Sequence, residues 1–124
     1  LKVYEDERTL CIMDINPLNR GHCLVLTKAH AATIWDADVA DLQAAIVTAK
    51  RVAEALKAAV RPDGLNMLQA NGAAAFQSVF HYHLHLIPRW NNDGKGFDWK
   101  LVPGDREQIM KIGDKLRTAL GGEA

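Results

Sequence analysis

The chain has 124 residues, 48% of them hydrophobic and 24% charged, which suits one globular domain over residues 1–124 with a core of its own. Fifteen basic residues balance fifteen acidic ones, so no overall field draws the chain to nucleic acid or to an anionic membrane, and neither is an expected partner. Apolar runs fall well short of the roughly 20 residues of a membrane span, and two cysteines are too few for a disulfide-stapled secreted scaffold.

Lys2–Glu5 and Thr9–Asp14 read as the strands of a hairpin, turned by the polar Asp6-Glu7-Arg8. Asn16-Pro17-Leu18-Asn19-Arg20-Gly21 is turn chemistry, and His22–Thr27 follows as a third strand. Cys11 and Cys23 each lie in an apolar run, where free cysteine behaves as a small buried hydrophobe; a reducing, cytoplasmic setting is expected. A helix follows, with Asp36 or Asp38 as its cap and Leu42, Ile46, Ala49, Ala53 and Leu56 as its apolar stripe. Arg61-Pro62-Asp63-Gly64 ends it, because proline cannot continue a helix.

Leu65–Gln69 reads as a fourth strand and Phe80–Ile87 as a fifth, closed by Pro88, with the weakly patterned Ala70–Val79 between them. A last helix starts after Pro103-Gly104 with Asp105 as its cap, and Ile109, Ile112, Leu116 and Leu120 form its stripe. Hairpin strands with segregated helices make an α+β domain.

The densest chemistry lies in His81-Tyr82-His83-Leu84-His85. Strand side chains alternate faces, so three imidazoles line one side while Phe80, Tyr82, Leu84 and Leu86 line the other. Such a row supports two chemistries. It can ligate zinc with an open position for water. It can also form a metal-free phosphate site with one nucleophile and two supporting donors. The small residues Asn71-Gly72-Ala73-Ala74-Ala75 favour phosphate, since backbone amides there can approach an anion closely, and Gln77 and Ser78 add polar side chains. Asp14, at the end of an apolar strand, can accept two hydrogen bonds from a ribose diol; taken singly, Asp14, His22 and His30 are ordinary turn or surface residues.

These residues resemble the histidine triad nucleotide-binding proteins. The hallmark His-x-His-x-His followed by two apolar residues is matched by His81, His83, His85, Leu86 and Ile87. Gln77-Ser78-Val79, Asn71-Gly72, Gly21-His22-Cys23-Leu24-Val25 and Asp14-Ile15-Asn16-Pro17 extend the match over about Tyr4 to Arg89. Ala70, Phe76 and Thr27 stand where many members have Asn, Gly and Pro.

The resemblance implies a five-stranded antiparallel sheet with two helices that pairs into a homodimer. It implies cleavage at the α-phosphate of a purine nucleotidyl substrate, a phosphoramidate or a dinucleoside polyphosphate, through a nucleotidyl-histidine intermediate. On it, His83 is the nucleophile, with His81, His85 and His22 in support. Asp14 and Ile15 contact ribose and base, and Gln77 and Ser78 contact phosphate and leaving group. Some bacterial members also hold a structural zinc through a Cys pair and residues matching His30 and His81. No Cys-x-x-Cys is present here, so neither metal nor cofactor is expected. A nucleotide-binding regulator with little turnover and a zinc-dependent hydrolase are the alternative functions.

Overall fold

The computed structural model describes residues 1–97 and 99–121. Five strands, β1 (Lys2–Glu5), β2 (Thr9–Met13), β3 (Cys23–Thr27), β4 (Gly64–Leu68) and β5 (His83–Arg89), form one antiparallel sheet in the order β1-β2-β3-β5-β4. Helix α1 (Val39–Val60) connects β3 to β4, and helix α2 (Arg106–Ala119) follows β5. This is the expected α+β class.

Alternation along the strands sorts the sheet into two faces. Cys11, Val25, Leu84 and Leu86 are buried beneath α1, which adds Ala45, Ala49, Val52 and Leu56 to the core. The buried hydroxyls of Thr9 and Thr48, 2.7 Å apart, pin β2 to the helix, and both cysteines are free and buried on this side. The opposite face, with Ile12, Leu24, His83 and His85, is only half covered. Burying such an alternating set on one side is what holds the register, since a one-residue slip would turn His83 into the core and Leu84 out of it.

Three local expectations change. The fifth strand begins at His83, not Phe80, so His81 and Phe80 lie before it and Phe80 is half exposed. Pro88 does not close this strand but lies inside it, opposite Leu65 of β4. The pairing of β5 with β3 runs only as far as Leu86, so Pro88 sits where that side of the strand is an edge, and edges tolerate a missing N–H. In α1 the buried stripe is Ala45, Thr48, Ala49, Val52 and Leu56, while Ile46 is exposed. The helix has a second apolar stripe in Ile46 and Val47, so periodicity alone could not say which one meets the sheet.

The cap expectations divide. Asp38 occupies the N-cap of α1 without a side-chain cap bond, whereas Asp105 Oδ1 accepts from the N–H groups of Glu107 and Gln108 at the start of α2. Of the expected α2 stripe, Ile109, Ile112 and Leu116 lie in the helix and Leu120 is its C-cap, and none of these side chains is buried. Among the described residues, no helix is long and apolar enough to cross a membrane.

Candidate functional site

The half-covered face opens into a cleft of about 590 Å³ lined by Ile12, Asp14, Ile15, His22, Leu24, Ser78, Val79, His83 and His85. Register explains the gathering. Leu24 lies opposite His85 on β5 and opposite Ile12 on β2, which places the ends of three strands side by side. Asp14 and His22 stand just past the paired ends of β2 and β3, joined by an Asp14 N–H bond to the His22 carbonyl at 3.0 Å.

Partners assign a tautomer to each imidazole. The Leu18 N–H donates to His22 Nδ1 at 2.9 Å, so the His22 proton is on Nε2. That Nε2–H points to His85 Nδ1 at 2.9 Å, with Asp14 Oδ2 3.4 Å away as a second acceptor. Since His85 Nδ1 accepts, His85 carries its own proton on Nε2. His83 is the reverse case: its Nδ1 donates to the main-chain carbonyl of His81 at 2.6 Å, which leaves the lone pair on Nε2. The cleft therefore combines one N–H donor and one basic nitrogen on neighbouring rings, whose centroids are 4.9 Å apart.

Electrostatics hold this pattern near neutral pH. Burial pushes the His22 pKa down, and the Asp14 carboxylate opposes that only in part. His85 is also pushed down, by burial first and then by its neighbours His83 and His22. Both rings stay neutral to lower pH than a free imidazole.

Two predicted residues stand outside the cleft lining. The His81 ring turns the other way: its Nε2 donates to the Thr27 carbonyl at 2.6 Å, and its Nδ1 faces His30 Nδ1 at 3.4 Å. His81 thus meets His83 through its backbone oxygen, a contact that side-chain alternation could not reveal. Gln77 is buried and braces the loop, accepting from the Gly72 N–H and donating to the carbonyls of Ala32 and Val79. Both of its amide protons are engaged there, which leaves no donor for a phosphate. Asp14, Ile15, Ser78, His22, His83 and His85 do come together. The sequence reading missed the Leu18 amide, and nothing in residue type marks a backbone donor.

Among the described residues, Asp14, His22 and His85 offer ligand atoms within 4.8 Å of one another. A tetrahedral zinc holding nitrogens at about 2.0–2.1 Å would set two of them roughly 3.3 Å apart. His22 Nε2 and His85 Nδ1 instead face each other at 2.9 Å as donor and acceptor. In this structure the trio is a hydrogen-bond chain.

The HIT domain matches residues 1–92. "Protein hit" of Bacillus subtilis is 41% identical over 122 residues, spanning 96% of this chain and 84% of that one. The adenosine 5'-monophosphoramidase hnt1 of Schizosaccharomyces pombe is 32% identical over 121 residues, 97% of this chain and 88% of its own. The crystal structure of a histidine triad nucleotide-binding protein from Candida albicans superposes with a TM-score of 0.84 at 30% identity, covering 97% of this chain and 87% of that one. With the domain model matching most of the chain and relatives alike over more than four fifths of their own length, this chain belongs to the HIT family.

Proposed function

We propose that the chain hydrolyses a purine nucleotidyl substrate at its α-phosphate, with His83 as the nucleophile. The observation that carries this reading is the His83 Nδ1–H bond to the His81 carbonyl, which aims the free Nε2 lone pair into the cleft. In the first step Nε2 forms a bond to the α-phosphorus while the bond to the leaving group breaks and takes its electron pair with it. In the second, water adds to the phosphorus and displaces His83, so net hydrolysis delivers a hydroxyl to the phosphoryl group and a proton to the leaving group. Dividing one displacement into two is the benefit of covalent catalysis. His85 Nε2–H is the donor for a phosphate oxygen as charge gathers there, and His22 orients it.

The naming of hnt1 as a phosphoramidase supports a nucleotidyl amine as one substrate class. Ile12, Ile15, Leu24 and Val79 give the cleft an apolar wall suited to a purine face. The test is steady-state turnover of a panel of nucleotidyl amines and dinucleoside polyphosphates, with purine and pyrimidine bases compared. A chain that binds nucleotide but turns over none of the panel is the regulator of the alternative reading.

Asp14 is the ribose residue in this proposal. Its Oδ1 already accepts from the Asn16 N–H at 2.8 Å and its Oδ2 faces His22, and each oxygen keeps a lone pair for a diol hydroxyl. Hydrogen bonds to a charged group are worth about 1.5–3 kcal/mol. Asp14→Asn should weaken nucleoside monophosphate binding about tenfold or more, measured by calorimetry. Unchanged affinity would return Asp14 to a turn residue that holds His22.

Catalysis needs no divalent metal in this scheme. Rates should be the same after dialysis against EDTA; loss of activity with recovery on adding zinc would favour the metal-dependent alternative.

A homodimer completes the proposal. Strand β4 is a sheet edge with Leu65, Met67 and Leu68 exposed, and the second stripe of α1 stands beside it across an apolar cavity of about 640 Å³. An edge and an apolar face exposed together are relieved by a twofold copy. Light scattering at micromolar protein should give twice the 13.7 kDa chain mass, and a monomer at that concentration contradicts it.

A further inference from the structure

Histidine His22 depends on an N–H group that belongs to a turn, and that turn is held from a distance. The Asn16–Gly21 segment touches the C-terminal end of β5 and the turn that follows it at three points. Asn19 Nδ2 donates to the Pro88 carbonyl at 3.1 Å and to Asp93 Oδ2 at 3.0 Å. The Arg20 guanidinium lies 4.6 Å over the Trp90 ring. Gly21, at φ +84°, packs so closely that a Cβ there would lie 3.1 Å from Pro88 Cγ.

The far end of this clamp is rigid. Asp93 Oδ2 accepts from Arg89 Nε at 2.9 Å and from the Trp90 N–H at 3.1 Å, while Oδ1 accepts from Arg89 Nη2 and the Lys95 N–H, each at 3.0 Å. A carboxylate with that many donors is fixed in place. Both partners of Asn19 Nδ2 are acceptors, so the orientation of the amide is unambiguous.

We propose that Asn19 is a positioning residue for the histidine pair of the cleft, holding the Leu18 N–H on His22 Nδ1 so that His22 stays neutral with its proton on Nε2. The proposal rests on the hydrolase reading above for its effect on rate, but not for its effect on His22. The groups facing His22 are Asp14 from the end of β2 and His85 from β5, with His83 beyond. Asp14 invites a second proton onto His22. An imidazolium needs an acceptor at each nitrogen, and a backbone N–H at Nδ1 is a donor. The clamped amide therefore opposes the charge that Asp14 promotes. Without it, His22 becomes a cation hydrogen-bonded to Asp14, its ring turns from His85 toward the carboxylate, and His85 loses the partner that orients its Nε2–H.

Asn19→Ala tests this. In nitrogen-15 spectra of wild-type protein, His22 Nδ1 should stay unprotonated to lower pH than an ordinary imidazole. In Asn19→Ala it should take a proton at higher pH. kcat should fall about tenfold or more near pH 6 with KM nearly unchanged, and the loss should shrink as pH is raised. Asn19→Ser keeps one hydroxyl donor and should lie between the two. If Asn19→Ala does not fold, the serine variant carries the same comparison.

Identical His22 titration in folded wild type and variant refutes the proposal, as does a rate loss that is uniform across pH. A wild-type chain that turns over no nucleotidyl substrate removes the hydrolase reading, and the titration still decides the role of Asn19.

Discussion

His83→Asn should abolish turnover and any acid-labile nucleotidyl-enzyme adduct while nucleotide binding persists. Asparagine keeps a polar side chain of similar reach, and its N–H can still meet the His81 carbonyl, but it presents no basic nitrogen to phosphorus. Loss of the nucleophile removes the covalent route altogether, which makes this the largest effect expected of any single change. Rapid quench with labelled substrate, followed by peptide mapping, checks it. Label should sit on His83 in the wild type and vanish in the variant. Label on His81 or His85, or adduct formation by His83→Asn at the wild-type rate, would overturn the assignment.

Second in size is His85→Asn. Its Nε2–H is the donor for the phosphate oxygen in the proposed chemistry, and removing one such preorganised donor typically costs about 10²–10³ in rate. The nucleophile remains, so the adduct should still form, only slowly, in the same quench experiment. His81→Asn provides the contrast. Its ring faces Thr27 and His30, and its contribution to His83 is a main-chain carbonyl that substitution retains. A loss at His81 as large as that at His85 would show that the outward ring matters more than its position suggests.

Different parts of this arrangement were legible at different ranges. Period-two alternation was enough to separate His83 and His85 from Leu84 and Leu86, because a strand puts adjacent residues on opposite faces whatever surrounds it. The Asp105 cap was equally readable, since it needs only the two amides that follow within three residues. The family resemblance added Asp14 and His22, whose types alone do not distinguish them from turn and surface residues.

The failures have one physical origin. His81 left the row because the strand starts three residues later than expected, where Tyr82 N–H bonds to Ala31. Gln77 turned inward because the carbonyl of Ala32, 45 residues away in sequence, needs a donor. In α1, two apolar stripes competed and the sheet accepted the one with smaller residues, Ala45 and Ala49, which let helix and sheet approach.

By itself, then, the sequence determined the strand faces, the α2 cap and the set of histidines available for chemistry, all of which follow from backbone geometry within an element. Only the tertiary structure decided which nitrogen of each ring holds the proton. That choice is made by Leu18 on His22, by His22 on His85 across 63 residues, and by a carbonyl on His83. A proton goes where its partner is, and partners distant in sequence are chosen by folding.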